Sequence, residues 1–175
     1  MKLVLFSPAL ARSSIGQGAS GACREMVANG DEVAVVCTEA PRFFNEKRHD
    51  FQTPIFPWTD EQRVEALIAE ADACIFHIGN NYDYHLGGLR WLDVGRGLVC
   101  LHDFFLGHLF HAWAEKRPAE ARLTLRYWYG ATVAEDFFRH DNSHSFIETN
   151  RRIAPMTEWI CGRARAVITH SRWGC

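Results

Sequence analysis

The 175-residue chain has no long apolar run. Its hydrophobic stretches are strand-length, far short of the ~20 residues that a helix needs to cross a bilayer. It has no surplus of positive charge: 19 Lys and Arg stand against 21 Asp and Glu, for a net charge of -2. Nucleic acid, which demands a basic face, is therefore excluded as an expected partner. It has no Cys-x-x-Cys pair among its six cysteines. Cys37, Cys74 and Cys100 sit inside apolar runs, where cysteine acts as a small hydrophobe. The expected chain is reduced and cytoplasmic rather than a disulfide scaffold. No internal repeat or low-complexity tract is present, and the first apolar run is cut short by Pro8 and Arg12. That is too brief for a secretory leader.

What is there is an ordinary globular composition, 47% hydrophobic and 23% charged, long enough for one domain with a real core. Five apolar runs recur: Leu3–Phe6, Val33–Cys37, Ala73–Ile78, Leu98–Leu101 and Ala166–Thr169. They are continuous rather than alternating, as strands covered on both faces are. Helical patterns lie between them. Ala19, Ala22, Cys23, Met26 and Val27 keep the helical period and meet a stop at Asn29-Gly30. Thr59 and Gln62 spell a capping box before the stripe Val64, Leu67, Ile68 and Ala71. Leu106, Leu109, Phe110 and Trp113 form a further stripe, and residues 116 to 153 read as irregular helices. Alternating strands and helices predict an α/β fold with an open, doubly wound, Rossmann-like parallel sheet. The chain ends at Cys175, straight after the fifth run, where such a unit would continue into a helix. The expectation is a cut chain.

Gly16, Gly18 and Gly21 spell G-x-G-x-x-G, with Glu39 just past the second run. As a pattern this is a dinucleotide fingerprint. Its first glycine should make the turn directly out of the strand, yet Ser7 to Ile15 intervene. The alternatives are a plain loop and helix start, or a glycine loop whose backbone approaches a phosphate or sugar.

Ligands of open α/β sheets bind beyond the carboxyl ends of the strands. There the sequence places Ser7, Thr38-Glu39, Gly79-Asn80-Asn81, His102-Asp103 and His170-Ser171. His102 is a candidate to hydrogen-bond a substrate hydroxyl or phosphate, or a structural histidine. Asp103 is either its companion or the N-cap of the next helix. Asn80 and Asn81 are ligand contacts or turn formers. His77, inside a run, reads as a satisfied core histidine. His102, Asp103, His108 and His111, and also His140, Asp141 and His144, have spacings that zinc sites use, but match no named motif. No metal is expected. The aromatic and basic segment Arg42 to His49 is a solvated connection or a mobile flap. Six tryptophans are either core or sugar-stacking surfaces.

Taken in order, Ser14-Ile15-Gly16, Asp31 to Val36, His77 to Asn81, Val99 to Asp103 and Ala166 to Ser171 resemble the N-terminal domain of family 4 glycosyltransferases of the GT-B type. The resemblance runs over most of the chain. It implies the N-terminal, acceptor-side half of a GT-B architecture, with a nucleotide-sugar donor held mainly by a C-terminal domain. That domain and its paired glutamates are absent from this sequence, so the chain alone is expected to transfer no sugar. The implied acceptor is a glycan, a lipid-linked sugar or a small molecule, with peripheral contact at the inner membrane face for a lipid-linked one. The implied chemistry is retaining and metal-free, with no cofactor beyond the donor. His102 and Asp103 take the catalytic positions. Gly16, Gly18, Asn80, Asn81 and His170 take the substrate-binding ones. Two other classes stay open. An NAD(P)-binding oxidoreductase domain would set Glu39 on a ribose hydroxyl, and a non-catalytic ligand-binding α/β module would use the same cleft without chemistry.

Overall fold

The structure is a computed structural model and describes residues 1–95, 97–139 and 143–170. Expectations resting on Arg96, His140, Asp141 and residues 171 to 175 lie outside these, as do those on the side chain of His144. The chain forms two compact units. One comprises Met1–Gly79, Asp83–His102 and the segment from Arg163; the other comprises Asn80–Tyr82 and Asp103–Gly162.

The first unit is built on a six-stranded, all-parallel sheet in the order β3-β2-β1-β4-β5-β6. The strands are β1 (Lys2–Ser7), β2 (Glu32–Cys37), β3 (Ile55–Pro57), β4 (Ala73–Ile78), β5 (Leu98–Leu101) and β6 (Ala166–Thr169). Its helices are α1 (Ser14–Ala28), α2 (Glu61–Glu70) and α3 (Tyr82–Gly95), whose first residue belongs to the second unit. Leu3, Leu5, Val33 and Val35 bury one face of the sheet with Ala19 and Cys23 of α1. On the opposite face Phe6 stacks on Phe76 with centroids 4.3 Å apart. Helices on both faces explain why the central strands are continuously apolar. This is the open, doubly wound, Rossmann-like sheet that the sequence predicts.

Two details differ from the sequence reading. The short edge strand β3 lies where Pro54 and Pro57 interrupt the apolar pattern; proline is admitted at a sheet edge because its missing N–H deprives no neighbour. Helix α2 is capped by Asp60, which accepts the Arg63 amide at 3.2 Å, rather than by Thr59.

The second unit is helical: α4 (Gly107–Lys116), α5 (Pro118–Phe137), α6 (Ser143–Asn150) and α7 (Thr157–Cys161). Helix α5 breaks at Gly130, where φ is +86°. Phe110 is the centre of the core, with its ring 5.4 Å from Trp113, 5.5 Å from Phe137 and 5.1 Å from Trp159. Trp113 and Trp159 are buried here and belong to this core, while Trp91 is buried in the first unit. No helix among the described residues is long and apolar enough to cross a membrane.

The glycine pattern is not a loop. Gly16, Gly18 and Gly21 all lie inside α1, which Ser13 opens by accepting the Gly16 amide at 3.0 Å. A Cβ on Gly16 would sit 2.6 Å from the carbonyl oxygen of Pro8. At Gly18 it would meet nothing within 4 Å. Gly16→Ala is therefore expected to destabilise the chain by about 1–3 kcal/mol through overpacking. Gly18→Ala is expected to stabilise it by about 0.5–1 kcal/mol through helix propensity. Urea denaturation of the two variants checks this, and effects of the same sign would contradict it.

Candidate functional site

The carboxyl ends of β4, β5 and β6 carry a row of imidazoles. The parallel register pairs His77 of β4 with Cys100 of β5, and Leu101 of β5 with Thr169 of β6. His102 and His170 follow directly on their strands. His77 Nδ1 lies 3.0 Å from His102 Nε2, and His102 Nδ1 lies 3.1 Å from His170 Nε2. Cys100 Sγ lies 3.4 Å from the same His170 nitrogen. The row runs from buried to open: His77 is buried, His102 half-buried and His170 exposed.

In their neutral form three imidazoles hold three N–H donors and three acceptor nitrogens. Two bonds within the row use two of each. Whichever way the row is polarised, one end keeps a donor and the other an acceptor. At the exposed His170 end the remaining ring nitrogen has no partner among the described residues, and a hydroxyl, being both donor and acceptor, would suit either polarity.

Burial fixes the charge at the inner end. His77 is held down to about 3 by desolvation and by the neighbouring imidazoles of His102 and His170. His85, on α3, is fully buried and also held down to about 3, first by desolvation. Its Nε2 accepts the Gly79 amide at 3.1 Å, so its proton sits on Nδ1. That N–H has the His77 backbone for a neighbour but no partner in hydrogen-bond geometry. The Cys100 thiol is pushed up by burial, so it stays protonated and inert on its own.

The other sequence candidates fall differently. In the helical unit Asp103 accepts the Asn80 amide at 2.8 Å, and Asn80 Oδ1 accepts the amides of His108 and Leu109 at 2.9 and 3.0 Å. Asp103 is therefore not the N-cap of α4. Asn80 performs that capping from a distance, because Leu106 at the cap position has no side-chain acceptor. Asn81 is exposed. His111 faces Glu115 of its own helix at 3.5 Å. Gly16 is buried against Pro8 and His49, while Gly18 is exposed on α1.

Glu39, the residue a dinucleotide ribose would need, is 2% exposed and turned inward. Its Oε1 accepts the Ala9 amide and, at 2.7 Å, the Leu10 amide. The segment Arg42 to His49 is pinned to the same loop. Ala11 donates to Lys47 O at 2.8 Å, His49 to Ala9 O at 2.8 Å, and the Arg12 guanidinium reaches Glu46 at 2.6 Å. It is a fastened strap, with Arg42, Asn45, Glu46 and Lys47 exposed as in a solvated connection.

His77 and Cys100 escape a sequence reading because each looks like core on its own strand. Only the register between β4 and β5 sets them side by side.

The two depressed histidines carry a pH signature. Their ordinary value is 6.5, and both are neutral in the folded chain down to about 3. Unfolding therefore takes up protons between these limits, so stability is full above pH 6.5 and falls as pH drops from there toward 3. The expected slope is roughly 1 kcal/mol per pH unit for each histidine. Urea midpoints measured from neutral to acid pH read it, and a flat profile across that window would contradict the assignment. Comparison of the chain with protein-family models, curated proteins and solved structures returned no match in any of the three.

Proposed function

We propose that the chain is the acceptor-side domain of a glycosyltransferase that moves a sugar from a nucleotide-sugar donor to a hydroxyl-bearing acceptor. The observation that carries this reading is the imidazole row, with His102 at the carboxyl end of β5 held between His77 and His170. The two bonds orient the His102 ring in advance, so little reorganisation is needed when a polyhydroxylated ligand joins the row. The row ends on a hydroxyl-matching group at the sheet edge where such folds take their ligands. Family resemblance at His102-Asp103 and at His170 supports the same reading. Catalysis would rest on positioning and on stabilising the departing diphosphate, with an acceptor hydroxyl ordered at His170, whose ring His102 holds in place. On this reading these residues bind the acceptor.

The oxidoreductase alternative loses its key group. The Glu39 carboxylate is spent on the Ala9 and Leu10 amides, and the glycines lie within α1 rather than at the strand end.

Saturation-transfer NMR with mono- and oligosaccharides, UDP- and GDP-sugars and NAD+ tests the reading. The expected result is transfer to saccharide ring protons, lost in His102→Ala and His170→Ala variants that retain the circular dichroism of the parent. Binding of NAD+ with no saccharide signal would overturn it.

A further inference from the structure

We propose that His77, Cys100 and His102 form a binding site for a divalent d-block cation, with zinc the fitting ion. Each residue offers one ligand atom, and the three atoms lie within 4.8 Å of one another. Their placement follows from the sheet. His77 and Cys100 are register partners on adjacent parallel strands, and His102 follows Cys100 by two residues on the same chain. A period of two returns a side chain to the same face, so all three donors project from one face of β4 and β5. Two of them stand on strands rather than on loops, which limits the rearrangement that binding requires.

The donor set selects the metal. One thiolate and two imidazoles suit zinc and its neighbours, whereas magnesium and calcium need carboxylate or carbonyl oxygens, which this set lacks. With bonds of about 2.0–2.3 Å, ligand atoms around tetrahedral zinc stand about 3.3–3.6 Å apart. The His77 Nδ1 to His102 Nε2 separation is 3.0 Å, so small side-chain shifts admit the ion. Three protein ligands leave a fourth position for water, as in zinc sites that keep an exchangeable ligand.

The proton balance is explicit. The proton now shared between His77 Nδ1 and His102 Nε2 leaves that gap. His77 then carries its N–H on Nε2, and His102 carries its own on Nδ1, donating to His170 Nε2 at 3.1 Å. This bond makes His170 the group that orients a metal-bound His102. The Cys100 thiol releases its proton to solvent as the sulfur coordinates. The site does not depend on the sugar-transfer reading, and either can fail without the other.

Cobalt(II) is the direct probe, because a thiolate–cobalt bond absorbs in the near ultraviolet and tetrahedral cobalt absorbs strongly in the visible. The full chain, stripped with chelator and titrated with Co2+, is expected to bind one ion per chain with both signatures, and Zn2+ is expected to displace it. Cys100→Ser should abolish the near-ultraviolet band. His170→Ala should weaken Zn2+ binding by about 10- to 100-fold, as removal of an orienting partner does. His111→Ala should change nothing. Circular dichroism shows that each variant is folded, and half-buried His102→Ala gives a second ligand deletion should Cys100→Ser fail to fold. Absence of stoichiometric Co2+ binding, or a thiolate band that survives Cys100→Ser in folded protein, would overturn the proposal.

Discussion

One buried carboxylate organises the front of the sheet. Glu39, just past β2, accepts the backbone amides of Ala9 and Leu10, which lie just past β1. A carboxylate this buried persists only when its hydrogen bonds replace the water it has lost. Each such charged bond contributes about 1.5–3 kcal/mol, and removing the acceptor strands two buried amides. Much else hangs on this clamp. The loop it fixes presents the Pro8 carbonyl on which Gly16 packs, and the Ala9 carbonyl that receives His49. Trp58 closes the rear by donating its indole N–H to Glu39 O at 2.8 Å.

The clamp divides the carboxyl edge of the sheet into two kinds of ground. Beyond β1 and β2 the polar groups are satisfied by the chain itself, through Glu39, the strap and the Ser13 cap. Beyond β4, β5 and β6 they are satisfied by one another only as far as an exposed imidazole. Among the described residues the polar groups of the first ground are spent on one another, whereas the second leaves one exposed imidazole nitrogen without a partner. That difference, more than any single motif, directs the functional reading toward His102 and His170.

Strands β4 and β5 were legible because burial on both faces leaves a continuous apolar signature, and β6 also falls where its run lies although its residues are largely exposed. Strand β3 was not, since three residues that follow one proline and end on another carry no period. The G-x-G-x-x-G spelling misled because the letters do not say whether a glycine sits in a turn or in a helix; the displacement from β1 did. Strand-end histidines were legible one at a time. Their contacts join residues 25 and 68 positions apart, and those depend on strand order and register. Asn80 shows the same limit: its role as a cap for α4 needs the Asp103 carboxylate to hold its amide.

Glu39 closes the first ground from within. Residue-resolved amide hydrogen exchange at Ala9 and Leu10 tests it most directly. Both lie in a loop, where amides ordinarily exchange fast. Slow exchange, approaching that of the central strands and unchanged by added NAD+, is the expected result. Exchange at the rate of an open loop, or protection that appears only with NAD+, would contradict it.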